Sequence, residues 1–244
     1  MAQIKYDGCR RLVSCKEGSV KGLNKKGEVV QLPDSIILSL INLTKEGFVI
    51  DGEIIGEKLH VFDVLSFNEK DAKKTSCEGR LSLLKAMSFE FGQFIEIVKS
   101  SYTKSEKQKM YDDLKDQNAE GIVFKLKISE YKAGRPASGG SALKHKFVKT
   151  ASFIVANITK NKRSIGLEML NENNEKVFLG KCTVPVNKDI PKIGSVVEIK
   201  YLYCFKNGCI FQPVFKEIRT DVDIEECLMS QLVYKANQEE EGED

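Results

Sequence analysis

Little in this chain would staple it together or carry it into a membrane. Its seven cysteines, at positions 9, 15, 77, 182, 204, 209 and 227, form no C-x-x-C pair, and there are only two histidines. A zinc site needs about four closely spaced ligands of these types, so a structural zinc is not expected. An odd, scattered set of thiols also argues against a disulfide frame and fits a reducing, cytoplasmic compartment. No apolar run reaches the roughly 18–20 residues that span a bilayer, and the first residues do not read as a secretory leader. A membrane partner is therefore not expected.

What is present is charge and a moderate supply of apolar side chains. The 244 residues, 41% of them hydrophobic, can build one large domain or two small ones. The net charge of +3 hides an acidic end, Glu239-Glu240-Glu241-Gly242-Glu243-Asp244, without which the body carries +8. Such a body suits a polyanionic partner, and an acidic tail over 235–244 is expected to be disordered.

Chemistry is concentrated near the start, in Lys5-Tyr6-Asp7-Gly8-Cys9-Arg10. A lysine amine attacks phosphorus only when neutral, and burial or neighbouring cations supply the neutral form. Asp7-Gly8 reads as a tight turn that lets backbone approach a ligand. Arg10 offers a planar fork for phosphate or ribose oxygens. Further on, Asp51-Gly52-Glu53 interrupts an apolar strand over 47–56. Its two carboxylates should face a ligand, metal or cation, since burying them alone is costly. A hairpin turn at Asp51-Gly52 is the alternative. Glu120 leads into the apolar strand 121–125, and Lys144 and Lys146 share one face of a later strand by period-two geometry.

Together these elements resemble, in order, the motifs of the covalent nucleotidyltransferases, a superfamily of ATP-dependent DNA ligases, RNA ligases and capping enzymes. K-x-D-G-x-R resembles motif I and D-G-E motif III. Phe62-Asp63 is similar to motif IIIa and Glu120 to Lys125 to motif IV. Leu143-Lys144-His145-Lys146-Phe147 is similar to motif V. Tyr131-Lys132-Ala133-Gly134-Arg135 resembles a ligase Y-x-x-G-R element. Asn24 to Gly27 resembles a ligase Ser-Arg-x-Gly turn, with Lys25 where arginine is usual. Near the end, Arg219-Thr220-Asp221 resembles the R-x-D of motif VI, with Val222 where lysine is usual.

The resemblance implies a three-step reaction. Lys5 would be the nucleophile toward ATP, helped by Asp7, Lys144 and Lys146. Gln3, Arg10, Glu53, Phe62, Lys144, Lys146 and Arg219 would bind the nucleotide. Glu120 and Asp51 would hold magnesium or manganese, and Lys25, Arg10 and Arg135 would contact nucleic acid. The expected partner is nicked duplex DNA, with RNA-containing duplexes and an RNA ligase as the nearest alternative. A catalytically silent nucleic-acid-binding protein is the alternative from another class. A monomer is expected.

The expected fold class is α+β. An adenylation (nucleotidyltransferase) domain of antiparallel sheets with flanking helices would cover 1–149, and a C-terminal OB-fold β-barrel 150–234. Hairpin strands are expected either side of Glu17-Gly18 and helices from Asp34, over 78–91 and over 104–117. Capping boxes at Thr75/Glu78 and Thr103/Glu106 would open the latter two. Short strands at 152–158, 164–170, 175–182, 196–202 and 210–218 would form the barrel, with 224–234 packed on it.

Overall fold

The computed structural model describes residues 1–88, 91–134 and 140–235. The expectations for Arg135 and for the acidic tail beyond Lys235 fall outside these residues. The chain divides into two units, residues 1–116 with 121–145, and residues 117–120 with 146–244. The division thus falls after His145, four residues before the expected Lys149, and a short piece before residue 121 groups with the second unit. No helix among the described residues is long and apolar enough to cross a membrane.

The first unit contains two antiparallel sheets. One has β1 (Ala2–Lys5) at its centre, beside β9 (Ser100–Ser101) and β10 (Gly121–Lys125), with β11 (Ala142–Lys146) outside β10. The other runs β4 (Val29–Val30), β3 (Ser19–Leu23), β2 (Cys9–Lys16), β5 (Phe48–Ile55), β6 (Lys58–Phe67) and β7 (Lys70–Asp71). A short parallel strand, β8 (Ile95–Ile97), also pairs with β6. The β2–β3 hairpin closes on Glu17-Gly18, where both residues have positive φ, as the twist of a two-residue loop requires. Asp51-Gly52 lies inside β5, not at a turn.

Alternation along these strands makes one face a core. Val13 and Cys15 of β2, Phe48 and Ile50 of β5, and Leu59 and Val61 of β6 are buried together. Helices α1 (Asp34–Leu40) and α2 (Cys77–Met87) cover that face through Ile36, Leu40, Leu81 and Leu84. Each fully buried leucine of this kind contributes about 1.5–3 kcal/mol. The cap of α2 is Ser76, whose hydroxyl accepts from Gly79 N–H, not the expected Thr75. Glu78 pairs instead with Lys127 at 2.9 Å. Helix α3 (Lys104–Asp116) does carry its expected box: Thr103 Oγ1 accepts from Glu106 N–H, and Glu106 accepts from the N–H of Thr103.

The second unit is a five-stranded antiparallel sheet. Its order is β14 (Lys176–Thr183), β13 (Ser164–Leu170), β12 (Lys149–Ile158), β15 (Val196–Tyr201) and β18 (Val214–Arg219). Phe153, Val155, Leu167, Leu179, Ile199 and Tyr201 fill its core. Cys182 of β14 and Phe215 of β18 are buried in the same core. A two-stranded ribbon, β16 (Tyr203–Cys204) with β17 (Ile210–Phe211), stands beside them. The C-terminal segment lies along this unit, with Leu170 N–H donating to Cys227 O and Cys204 N–H to Val233 O.

Candidate active site

The face of the seven-stranded sheet opposite the core carries the polar residues. On β2, Arg10 alternates away from Val13 and Cys15. On β5, Asp51 and Glu53 alternate away from Phe48 and Ile50. Arg10 and Glu53 are directly opposed across the strand pair. β1 ends at Lys5, and the link of Tyr6 to Gly8 carries the chain from one sheet to the other. Gly8 has a specific reason to be glycine: a Cβ there would stand 2.2 Å from the Ile54 carbonyl oxygen. That close approach is made to the protein's own strand β5. Gly52 is held in the same way by His60 O and the side chain of Leu59.

Lys5 Nζ lies 3.5 Å from the Tyr6 carbonyl oxygen. Lys144, on β11, feels partial desolvation and the charges of Lys5, Arg10 and Lys25, which lower its pKa, while Glu53 opposes them. Lys5, Arg10, Lys25, Glu53 and Lys144 therefore share one electrostatic neighbourhood. Lys25 itself is exposed in a turn organised by Asn24, whose side-chain oxygen accepts from the N–H groups of Lys26 and Glu28. Asp7 is half-buried in the link after Lys5.

Two residues before Lys5, Gln3 is 1% exposed. Its amide nitrogen donates to Ser100 Oγ at 3.0 Å, while its buried Oε1 has no partner among the described residues. A buried acceptor without a donor is costly, and an incoming amine would satisfy it. Phe62 marks another departure from regularity. Gly52 pairs with Val61 and Asp51 with Asp63, so the register passes over Phe62. Such a bulge re-aims a side chain and strands its backbone groups. Lys125 Nζ donates to the stranded carbonyl of Phe62 at 3.1 Å and lies 5.0 Å from the ring centroid. Burial lowers the pKa of Lys125, and Asp63 works against that shift.

Asp51, expected as a metal ligand, has both oxygens engaged. Arg10 Nε donates to Oδ1 at 2.9 Å and Nη2 to Oδ2 at 2.6 Å, and the Tyr131 hydroxyl donates to Oδ2 at 3.1 Å. The structure makes it the fully buried counter-ion of Arg10, and this raises the Arg10 pKa. Among the described residues no three His, Cys, Asp or Glu side chains converge as a metal cluster.

In the second unit, Glu120 is buried and pairs with Lys146 at 2.9 Å. Lys146 also donates to Gln212. Arg219 ends β18 and forms a two-pronged pair with Asp221, both contacts at 2.7 Å, which holds the Asp221 carboxyl down at about 2. Val222 packs with Ile154, Leu170, Val196 and Cys227. That position is part of an apolar cluster, so a valine there has a packing reason.

The sequence motifs give no role to Arg80, Asp63, Lys125 or the Tyr131 hydroxyl. Arg80 is 3% exposed, pairs with Asp63 at 2.7 Å, and donates to the carbonyls of Thr75 and Ser129. Its signal was available: it lies four residues before Leu84 and three after Cys77, a charge on the apolar stripe of a helix.

Residues 55–146 match the family model of the ATP dependent DNA ligase domain. No curated protein sequence matches the chain. Among solved structures it is similar to Pmar-Lig_Pre, with a TM-score of 0.72 and 20% identity over 90% of this chain and 63% of that one. The chain thus spans less than two thirds of that structure's length. It is also similar to a structure from work on DNA binding with a minimal scaffold by Lig E DNA ligases. There the TM-score is 0.67 at 17% identity, over 89% of this chain and 91% of that one. A third likeness, to the ligase domain from M. tuberculosis LigD, has a TM-score of 0.51 and 16% identity, covering 96% and 92%. At such identities the shared property is the fold, an arrangement of antiparallel sheets with few helices.

Proposed function

We propose that this chain, which carries an ATP dependent DNA ligase domain over residues 55–146 in a ligase-type fold, seals nicks in duplex DNA through a lysyl-adenylate. The observation that supports this most directly is that Lys144 feels the charges of Lys5, Arg10 and Glu53, while Gln3, two residues before Lys5, has a buried acceptor with no partner among the described residues.

The neutral amine of Lys5 attacks the α-phosphorus of ATP. An N–P bond forms, the bond from that phosphorus to the bridging oxygen breaks, and pyrophosphate leaves. An oxygen of the nick 5′-phosphate then attacks the lysyl-adenylate. A pyrophosphate linkage forms, the N–P bond breaks and Lys5 recovers its amine. Finally the 3′-hydroxyl attacks the activated 5′-phosphorus, a phosphodiester forms and AMP leaves. Dividing one difficult condensation this way is the gain of covalent catalysis, and the protein contributes mainly position and charge.

In this reading Gln3 Oε1 accepts from the adenine amine and Phe62 stacks on the base. Arg10 and Glu53 take ribose and phosphate oxygens. Lys144, Lys146 and Arg219 stabilise the phosphates, and Asp7 orients Lys5. One carboxylate, with water and phosphate oxygens, is a donor set that magnesium accepts, so Glu120 fits a metal ligand. Magnesium or manganese held there would supply neutralisation of phosphate charge. Residues 1–149 act as the adenylation domain and 150–234 as an OB-fold, in a cytoplasmic monomer. Lys25 and Arg10 contact the nicked strand.

The test is sealing of nicked all-DNA, RNA-containing hybrid and all-RNA duplexes with ATP and magnesium, for wild type and Lys5→Ala. Sealing of nicked DNA by wild type alone, with a one-AMP mass gain that the variant lacks, is the expected result. Sealing mainly of RNA-containing ends moves the reading to RNA joining. Binding without sealing or mass gain favours a silent nucleic-acid-binding protein.

A further inference from the structure

The Arg10 guanidinium is held from two sides. Its Nε and Nη2 edge is spent on Asp51, and Nη2 also donates to the Tyr131 hydroxyl at 3.0 Å. That hydroxyl donates in turn to Asp51 Oδ2. The three groups form a closed triangle, with Asp51 fully buried at its centre. Among the described residues Nη1 makes no hydrogen bond, and the Arg10 side chain is 35% exposed. The guanidinium therefore has one edge committed and one edge open. An arginine fork spends little further entropy when its plane is already fixed.

Tyr131 is fixed in its turn. Its N–H donates to Lys73 O at 2.8 Å, and the Arg80 guanidinium lies 5.7 Å from its ring centroid. Two carbonyls just upstream bind the first turn of α2, where Cys77 N–H donates to Ser129 O and Glu78 N–H to Lys127 O. The segment 127–131 thus runs from a helix N-terminus to the Arg10–Asp51 pair. Burial and Asp51 push the Tyr131 phenol up to about 12, so the hydroxyl keeps the proton it donates.

We propose that Tyr131 is a positioning residue: its hydroxyl locks the Arg10 fork on Asp51 so that the open Nη1 edge is presented to a ribose or phosphate oxygen of the bound nucleotide. This rests on the reading above that the site takes ATP. Tyr131 does not touch the nucleotide; it acts through Arg10. Without its hydroxyl, Asp51 loses one donor, the fork can rotate, and the open edge must be ordered on binding.

The experiment is equilibrium titration with α,β-methylene-ATP, whose Pα–C–Pβ bridge Lys5 cannot break. It compares wild type, Y131F, R10K and the double variant, each with its melting temperature. Y131F is expected to weaken binding about tenfold, the scale of one charge-assisted hydrogen bond, with little change in melting. In the R10K background, where no fork remains to be held, the same change is expected to matter less than about twofold. Y131H, whose shorter ring ends before it can reach Asp51, is expected to weaken binding as Y131F does. Should Y131F not fold, Y131H with and without R10K carries the comparison. Additive losses in the cycle, an unchanged Y131F affinity, a Y131H affinity equal to that of wild type, or no binding by wild type overturns the proposal. Failure of nick sealing with the binding pattern intact would instead overturn only the ligase reading.

Discussion

Phe62 and Lys125 are joined twice: the ammonium donates to the Phe62 carbonyl at 3.1 Å and lies 5.0 Å from the centre of its ring. The carbonyl needs this donor because the bulge passes it over. The same cation therefore satisfies the bulge and holds the ring from one side. Lys125→Met keeps the length and loses both contacts. Its expected result is an ATP affinity lower by about tenfold in self-adenylation assays, with melting close to wild type because a costly buried charge leaves with the hydrogen bond. An unchanged affinity would show that the ring holds its aim without the ammonium.

Lys144 sets function against stability. Partial desolvation and the charges of Lys5 and Arg10 lower its pKa in the folded chain. Between that lowered value and the unfolded value of about 10.4, the unfolded chain binds more protons, so this group's contribution to stability rises with pH. Below the lowered value its full penalty is present. Lys144→Met should therefore melt no lower than wild type at pH 7, with the difference shrinking toward about pH 10.5, while self-adenylation falls by about a hundredfold or more. Melting curves at three pH values and a one-AMP mass shift measure both. A variant that melts lower at pH 7 contradicts the sign.

The Arg80–Asp63 pair is buried on both sides, 3% and 6% exposed. Arg80→Met leaves an uncompensated carboxylate in the core, a loss of about 3–5 kcal/mol. For a chain of this size that is roughly a 10–15 °C fall in melting temperature. Asp63→Asn added to Arg80→Met should recover part of it. Denaturant titration of the single and double variants is the check, and equal loss in both would show that the carboxylate charge is not the cause.

Val222 offers a test of sequence pattern against packing. It packs on Ile154, Leu170, Val196 and Cys227. Val222→Lys restores the residue that the ligase-like motif has here, yet removes an apolar side chain from this cluster. The expected loss is about 1–2 kcal/mol of stability. A lysine that melts like wild type and raises the sealing rate would show that the position belongs to the site instead.

Much of this was legible in the sequence, for identifiable reasons. The Glu17-Gly18 hairpin and the Thr103/Glu106 cap are local devices, settled by backbone sterics and by side chains three residues apart. Four strands of the second unit lie between turns as expected, while the fifth, expected as one strand over 210–218, divides into β17 of the two-stranded ribbon and β18 of the sheet. Gathering of Lys5, Arg10, Glu53 and Lys144 was expected from motif order, and the fold does bring them together. What local pattern could not supply was partnership. Nothing local to Asp51 shows that β2 places Arg10 against it or that Tyr131 supplies its hydroxyl from 80 residues away. Ser76 replaces Thr75 as the cap of α2, and Glu78 turns outward to Lys127. A single residue passed over in the β5–β6 register gives Phe62 its bulge and Lys125 its purpose. The sequence by itself determined where the Glu17-Gly18 hairpin and the Thr103/Glu106 cap form, because those follow from side-chain type and short-range geometry. Only the tertiary structure decided which charges are spent on each other and which edge of Arg10 stays open, because pairing depends on strands brought together from distant parts of the chain.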